Sequence, residues 1–125
     1  MEVVKVFLVE DNELYAKVTR HHLSLNPENE VEVFATGKEC LHNLYKNPHL
    51  VLLDYSLPDM SGIEVLRKIK QAQPDLPVII VSGQEDISTA INLLKEGAYD
   101  YIVKDENAKE RMWNAVNNIR ENARL

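Results

Sequence analysis

The sequence predicts an α/β fold: a doubly wound parallel sheet of five strands, covered on both faces by five helices. Two observations support this prediction. Five short runs rich in Val, Ile, Leu or aromatic residues recur along the 125 residues, and segments with helical spacing of apolar residues separate them. Such strict alternation is typical of βαβ crossovers, which produce parallel sheets. The hydrophobic fraction of 45% and charged fraction of 27% fit one compact globular domain.

The five predicted strands are bounded by polar or turn-forming residues. They lie at Val4–Val9, Val31–Phe34, Leu50–Leu53, Val78–Val81 and Tyr101–Val103. The first, third and fourth runs are continuously hydrophobic, as expected of central parallel strands that are buried on both faces. The second run alternates glutamate with apolar residues, which is typical of an edge strand. Together these patterns predict the strand order 2-1-3-4-5.

The helices are predicted from apolar residues that recur every three or four positions. In chain order these are Leu14 and Val18; Leu41, Leu44 and Tyr45; Leu66 and Ile69; Ile91 and Leu94; and Met112, Val116 and Ile119. Thr36 and Ser61 each precede a glutamate by three residues, a spacing that fits the capping box at a helix start. Gly97 follows the fourth series and is expected to end that helix, because glycine adopts positive φ at low cost.

Charge and composition exclude several classes of protein. The net charge of -6 argues against direct nucleic-acid binding by this domain, because phosphate contacts need clustered Lys and Arg. No apolar stretch approaches the roughly 20 residues needed to cross a bilayer, and the first residues do not resemble a signal peptide. We therefore expect a cytoplasmic protein without a membrane partner. The single cysteine, Cys40, excludes an internal disulfide and is expected to be a small buried hydrophobic residue.

Charged and polar residues stand at the carboxyl ends of four predicted strands. In strand order they are Glu10 and Asp11, Asp54, Ser82 and Gly83, and Lys104. In an open α/β sheet these ends line one crevice, where the strand order reverses. We therefore expect three carboxylates, one hydroxyl and one ammonium around a single pocket, with Gly83 leaving room for an incoming group.

This set of side chains is suited to magnesium binding and phosphoryl transfer. Three neighbouring carboxylates repel one another, and a divalent cation would relieve that repulsion. Glu10, Asp11 and Asp54 offer the oxygen ligands that Mg²⁺ prefers, without a histidine or thiol that would favour zinc. Asp54 would be the nucleophile that forms an acyl phosphate. Lys104 and the Ser82 hydroxyl would then contact the phosphoryl oxygens.

These residues and the loops around them resemble the receiver domain of two-component response regulators, including the chemotaxis-type receivers. The matching motifs are Glu10-Asp11, Asp54 with Leu57-Pro58-Asp59-Met60-Ser61-Gly62, Ser82-Gly83, and Gly97-Ala98-Tyr99-Asp100-Tyr101-Ile102-Val103-Lys104. The resemblance covers nearly the whole chain in the right order. It implies one flavodoxin-like receiver domain over residues 1–125, either freestanding or the N-terminal part of a longer response regulator.

The resemblance also implies a reaction and a cofactor. Asp54 would accept a phosphoryl group from the phosphohistidine of a sensor histidine kinase or phosphotransfer protein. Mg²⁺ would be held by Glu10, Asp11, Asp54 and the backbone carbonyl of Ser56. Such a domain catalyses only its own phosphorylation and dephosphorylation, so we expect a phosphoacceptor rather than an enzyme acting on other molecules.

Ser82 and Tyr101 are implied to be a coupled switch pair. Their movement would remodel the surface of the fourth helix, fifth strand and fifth helix. An output domain, a target protein or, after phosphorylation, a second copy of the chain would bind to that surface. The expected role of this switch is in transcription regulation. The alternative is that Tyr101 has no switch role and is an ordinary core or half-buried aromatic residue of the strand. Ser56 and Gln84 are expected to flank the path of the hydrolytic water and so to tune the lifetime of the phosphoryl group.

The residue after Lys104 departs from the family pattern. Receivers usually carry proline there, preceded by a cis peptide, whereas this chain has Asp105. A cis bond before a residue other than proline costs about 2.5 to 4 kcal/mol, so we predict a trans Lys104-Asp105 bond. Without that proline, Lys104-Asp105-Glu106-Asn107 resembles receivers fused to enhancer-binding ATPase activators more than those of winged-helix transcription factors.

Three alternatives remain open. A metal-dependent phosphohydrolase would also use a strand-end aspartate, but it would need a second acid at the position of Ser56. A flavin-binding domain of this topology would need a loop rich in Ser, Thr and Gly where Glu10-Asp11-Asn12 would repel phosphate. A receiver scaffold that is never phosphorylated is the third alternative, and the complete set of acids, hydroxyl and lysine argues against it.

Overall fold

A computed structural model describes residues 3–83 and 86–123 of the chain. The strands are β1 (Val4–Val9), β2 (Asn29–Phe34), β3 (Leu50–Asp54), β4 (Val78–Ser82) and β5 (Asp100–Val103). The helices are α1 (Glu13–Leu23), α2 (Gly37–His42), α3 (Gly62–Ala72), α4 (Ile87–Lys95) and α5 (Ala108–Ala123), with a 3-10 turn at Leu44–Lys46. No helix in these two ranges is long and apolar enough to span a lipid bilayer.

The strands form one parallel sheet in the order β2-β1-β3-β4-β5, which confirms the predicted order and the edge position of β2. Every residue of β3 and β4 is buried, whereas β2 exposes Glu30. The register places Val9 beside both Phe34 and Leu53, and Asp54 beside Val81. The carboxyl ends of the central strands therefore lie side by side.

An apolar core covers each face of the sheet. One core packs against α1 and α5 and contains Leu23 and Met112. The other packs against α2, α3 and α4 and contains Cys40, Leu66 and Leu93. Cys40 is fully buried, as predicted, and this burial raises the pKa of its thiol to about 12. The two cores hold the sheet rigid beneath the residues at its carboxyl edge.

The two apolar residues whose spacing predicted α1 do not form its buried face. Leu14 is 73% exposed and Val18 is 39% exposed. The helix instead buries Ala16, Thr19 and Leu23 against the sheet. Because α1 carries few apolar residues, two different arcs of the helix fit a period of 3.6, and the smaller side chains are the ones that allow close packing.

Some of the spaced apolar residues in α4 and just after α2 are also exposed. Ile91 and Leu94 are each 46% exposed, and Leu93 faces the core. Tyr45 is 73% exposed, since α2 ends at His42 and the chain continues as a 3-10 turn. In α3 and α5 the spaced apolar residues do face the core: Leu66, Ile69, Met112 and Val116 are all fully buried.

The predicted helix boundaries are supported by their caps. The Thr36 hydroxyl accepts from the Glu39 amide at 3.1 Å, and the Ser61 hydroxyl accepts from the Glu64 amide at 3.4 Å. Gly97 has φ of 106° directly after α4, so its terminating role is confirmed. The cap at Ser61 fixes the start of α3 and thereby the loop that leads from Asp54.

Candidate functional site

Three acidic side chains meet at the carboxyl ends of β1 and β3. Glu10 and Asp11 follow β1, and Asp54 is the last residue of β3. One carboxylate oxygen of each residue lies within 4.8 Å of the others. Glu10 is 3% exposed and Asp54 is 6% exposed, whereas Asp11 faces solvent. The structure therefore brings together the three acids that the sequence placed at the strand ends.

The acidic cluster fits a hard divalent cation. Burial, together with the adjacent Glu10 carboxylate, raises the pKa of Asp54 to about 7, although the Lys104 ammonium opposes that rise. A cation between the carboxylates would relieve the repulsion, and carboxylate oxygens are the ligands that Mg²⁺ prefers. The Ser56 amide donates to Asp54 Oδ1 at 3.3 Å, so the backbone next to the cluster is oriented by Asp54 itself.

Lys104 supplies the positive charge of the site. Its Nζ donates to Glu10 Oε1 at 2.6 Å and lies 3.5 Å from Asp54 Oδ2. The Lys104 side chain is only 21% exposed, and its Nζ also lies 4.6 Å from the centroid of the Tyr15 ring. Burial raises the pKa of the Tyr15 phenol, and the nearby ammonium opposes that shift.

Tyr15 is a site residue that the sequence predictions omitted. It lies in the first turn of α1, three residues after the N-cap Asn12, and the acids Glu10 and Asp11 come directly before that cap. Helical side chains also lean toward the amino-terminal end of their helix, which here is the end that carries the acids. This position in the first turn of α1, next to the acids, was the available signal.

The remaining predicted residues lie on β4, β5 and the loop after β4. Ser82 is buried at the end of β4, and a Cβ added to Gly83 would meet no described atom within 4 Å. Ser82 pairs with Val103 in the β4–β5 register, and Tyr101 pairs with Ile80 two residues earlier. Tyr101 is half-buried in the core that packs against α2, α3 and α4. Gln84 lies outside the described residues.

The loop after Asp54 is held in a closed shape. Ser56 and Ser61 form an antiparallel bridge, and the Gly62 amide donates to the Tyr55 carbonyl at 2.8 Å. A Cβ on Gly62 would lie 2.8 Å from Tyr55 Cα, so the two backbone segments pack in direct contact. Glycine is required here by the space available, and the close approach fixes the strand end that presents Asp54.

Asp59 joins this loop to α2. Its Oδ1 and Oδ2 accept from the Gly37 and Lys38 amides, each at 2.9 Å. Desolvation alone would raise the pKa of Asp59, but the hydrogen bonds from these amides outweigh it and hold the pKa below its usual value. The carboxylate is therefore a charged cap at the amino-terminal end of α2, where the helix dipole favours it.

The loop after β5 is ordered around Asp105. No cis peptide bond occurs in residues 3–83 or 86–123, so the Lys104-Asp105 bond is trans as predicted. The Asp105 amide donates to the Val103 carbonyl at 2.8 Å, and Asp105 Oδ1 accepts from the Asn107 amide at 2.9 Å. These contacts give the loop a stable course without proline.

The sequence matches the family model of the response regulator receiver domain over residues 6–117. The chain belongs to this family of receiver domains. Among its relatives, the luminescence regulatory protein LuxO of Vibrio campbellii is 34% identical over 121 residues, covering 94% of this chain and 26% of LuxO. The C4-dicarboxylate transport transcriptional regulatory protein DctD of Rhizobium meliloti is 35% identical over 121 residues, covering 96% and 26%. The receiver domain thus spans about a quarter of the length of these curated relatives.

Solved structures of receiver domains share the fold. The signal receiver domain of a Luxo repressor protein from Vibrio parahaemolyticus superimposes with a TM-score of 0.88 at 31% identity, covering 98% of this chain and 94% of that one. A CheY-like receiver domain protein from Methanospirillum hungatei gives a TM-score of 0.83 at 28% identity, covering 98% of each chain. The resemblance inferred from the sequence motifs is therefore confirmed, and the flavin-binding and phosphohydrolase alternatives are set aside.

Proposed function

We propose that this receiver domain accepts a phosphoryl group on Asp54 from the phosphohistidine of a sensor histidine kinase or a phosphotransfer protein. One observation carries the proposal: Asp54 lies within 4.8 Å of two further carboxylates while Lys104 Nζ lies 3.5 Å from its Oδ2. A nucleophilic carboxylate, a cation-binding acid pair and a fixed ammonium are the parts that phosphoryl transfer needs.

In the proposed reaction an Asp54 carboxylate oxygen attacks the phosphorus atom. The phosphorus–nitrogen bond of the donor breaks, the electron pair leaves with the imidazole nitrogen, and an acyl phosphate forms on Asp54. Glu10, Asp11, Asp54 and the Ser56 carbonyl would hold Mg²⁺, which when bound neutralises negative charge on the phosphoryl oxygens. Lys104 would contact a second oxygen, because its ammonium already lies beside the Asp54 carboxylate.

The buried Ser82 is proposed to complete the site. Its position at the end of β4 would allow the hydroxyl to donate to a phosphoryl oxygen, and the open space at Gly83 would admit the incoming group. Tyr101, half-buried on the neighbouring strand, would respond as the second member of the switch. A change at Asp54 would in this way reach the surface formed by α4, β5 and α5.

That surface is where we propose that partners bind. Along α4, Ile87 is 75% exposed, and Ile91 and Leu94 are each 46% exposed. The three side chains recur at i, i+4 and i+7 and so form an apolar stripe beside β5. We propose that it contacts an output domain, a target protein or, after phosphorylation, a second copy of the chain.

The regulated process is proposed from the relatives. LuxO is named a regulatory protein and DctD a transcriptional regulatory protein, which supports a role in transcription regulation in the cytoplasm. Residues 1–125 would act as one receiver domain, with any contact to DNA made by an output domain rather than by this acidic one. An enhancer-binding ATPase activator is the output that the sequence after Lys104 favours.

Labelling with a small acyl phosphate tests the proposed phosphoacceptor. The protein would be incubated with Mg²⁺ and acetyl phosphate and then analysed by intact-mass spectrometry. We expect the wild type to gain one phosphoryl group and Asp54→Asn to gain none. Asp75→Asn is the matched control, because Asp75 is an exposed aspartate just before β4, at the opposite edge of the sheet. An unlabelled wild type, under conditions that label another receiver, would favour a scaffold that is never phosphorylated.

The phosphoryl lifetime is proposed to depend on Ser56 and Gln84. Ser56 is exposed and its amide donates to Asp54 Oδ1, so this residue lies next to the proposed phosphoacceptor and is accessible to water. Substituting Ser56 or Gln84 by alanine should change the rate at which the label is lost. An unchanged rate in both variants would count against this placement.

A further inference from the structure

Tyr15 occupies the active site without a role in the proposed function. The Asn12 side chain accepts from the Tyr15 amide at 2.9 Å, which fixes the first turn of α1. The aromatic ring therefore starts from a fixed backbone position in the first turn of α1, three residues after the N-cap Asn12. From there it reaches Lys104, which lies 89 positions later in the chain and 4.6 Å from the ring centroid.

We propose that Tyr15 is a positioning residue that holds the Lys104 ammonium in place through its aromatic ring; this inference rests on the proposed function. A cation within about 6 Å of an aromatic face is attracted by the ring quadrupole, and more strongly where water is excluded. The Lys104 side chain is 21% exposed, so little water competes for its charge.

Three groups converge on the ammonium. Glu10 Oε1 lies 2.6 Å from Nζ, Asp54 Oδ2 lies 3.5 Å away, and the Tyr15 ring is the third contact. The carboxylates attract the charge toward the inside of the site. The ring adds a broad contact from α1 that restricts where the flexible lysine chain can go.

The Tyr15 hydroxyl makes no hydrogen bond in the part of the chain that the structure describes, although the oxygen atom is buried. Buried tyrosine hydroxyls usually find a partner, so a hydroxyl contact does not explain the position of this side chain. We therefore assign the positioning role of Tyr15 to the contact of its ring with the Lys104 ammonium. Phenylalanine should therefore replace tyrosine, whereas an aliphatic residue should not.

A held ammonium matters because lysine is flexible. Its side chain has four rotatable bonds, and ordering it only when the donor arrives would cost conformational entropy during the reaction. A ring that already restrains the ammonium removes part of that cost, which is how positioning residues accelerate phosphoryl transfer.

A set of four variants tests the inference: Tyr15→Leu, Tyr15→Phe, Lys104→Met and the double variant Tyr15→Leu/Lys104→Met. With acetyl phosphate and Mg²⁺, we expect Tyr15→Leu to slow labelling of Asp54 by about three- to thirtyfold, the range expected for a cation–π contact. Tyr15→Phe should label within about twofold of the wild type. Tyr15→Leu should cause no further slowing once Lys104 is methionine, because the two residues act as one unit.

Nuclear magnetic resonance of the Lys104 ε-methylene group gives a second readout that does not depend on labelling. We expect ring-current shifts to low frequency in the wild type and Tyr15→Phe, and their loss in Tyr15→Leu. Equal labelling rates in Tyr15→Leu and wild type, or equal losses in Tyr15→Leu and Tyr15→Phe, would overturn the role of the ring. An unlabelled wild type would overturn the proposed function itself, whatever the ring-current shifts show.

Discussion

Lys104 forms a short hydrogen bond with Glu10 and a longer ion pair with Asp54. Its Nζ lies 2.6 Å from Glu10 Oε1 but 3.5 Å from Asp54 Oδ2. Glu10 is almost fully buried, so its charge is balanced mainly from within the site. This arrangement leaves the Asp54 carboxylate as the weaker partner of the lysine, which suits the proposed role of Asp54 as a nucleophile. Glu10 therefore controls the charge of Asp54 through two opposite effects: its own repulsion and its hold on Lys104.

Glu10→Gln should lower the pKa of Asp54. After burial, the Glu10 carboxylate is the main cause of the raised value, and glutamine removes its negative charge while keeping its size. Burial remains, so the pKa should stay above the usual value for aspartate. The measurement is a carbon NMR titration of the Asp54 carboxyl without Mg²⁺, with Asp75→Asn as control. A pKa that is unchanged or higher in Glu10→Gln would show that the hold on Lys104 is the stronger effect.

Asp54→Asn should stabilise the fold without Mg²⁺, and increasingly so as the pH rises from about 4 to 7. The folded pKa of Asp54 is about 7, against about 3.9 in an unfolded chain, so the native state binds more protons between these values. Stability of the wild type then falls as the pH rises through this window. Each pKa unit is worth about 1.4 kcal/mol, so the gain at pH 7 is on the order of a few kcal/mol. Urea denaturation at a series of pH values, with a chelator present, would measure it, and a pH-independent difference would contradict the assignment.

Mg²⁺ should reduce that difference in stability. Binding to the native state stabilises it by about 2.7 kcal/mol at one hundred times the dissociation constant. We expect the thermal midpoint of the wild type to rise with Mg²⁺. Asp11→Asn and Asp54→Asn should lose most of this rise, whereas Asp75→Asn should retain it. A rise of equal size in all four proteins would place the cation elsewhere.

The sheet and most of the site could be predicted because both depend on local signals. Apolar runs identify the strands, and Glu10, Asp54, Ser82 and Lys104 each stand at the end of such a run or directly after it. The register of the parallel sheet then brings Glu10 and Asp54 together without further information. The sequence could not predict which of the neighbouring charged side chains form the shortest contacts. The preference of Lys104 for Glu10 depends on side-chain burial across three strands.

The helix faces were harder, for a physical reason. On α4 the residues with the best helical spacing, Ile91 and Leu94, are exposed, and Leu93 is the one that packs inward. Periodicity shows that a helix has an apolar stripe. It does not show whether that stripe packs against the core or is exposed at the surface, where a partner could bind. Tyr15 was overlooked for a related reason: its contact with Lys104 joins elements that are far apart in the sequence.

Asp59→Ala should destabilise the domain by about 1 to 2 kcal/mol, because two amides at the start of α2 lose a charged acceptor. The pKa of Asp59 is lowered in the folded state, so its contribution is present above the usual pKa of aspartate and is lost as the pH falls through the folded value. Urea denaturation at pH 7 and at pH 3 would measure both effects. Asp75→Ala is the control, and an equal loss of stability in the two variants would argue against the cap.

Gly62→Ala and Gly83→Ala should differ sharply in stability, although both glycines border the site. The added Cβ at Gly62 would lie 2.8 Å from Tyr55 Cα and 3.3 Å from the Asp54 carbonyl oxygen, and backbone atoms cannot move aside without shifting the strand end. Overpacking of this kind costs about 1 to 3 kcal/mol. At Gly83 the same methyl group would meet no described atom within 4 Å, so its effect should stay within about 0.5 kcal/mol. Urea denaturation of both variants against the wild type would measure this difference. Equal stabilities would mean that the loop after Asp54 yields easily, and the close backbone contact would then not be what fixes the position of Asp54.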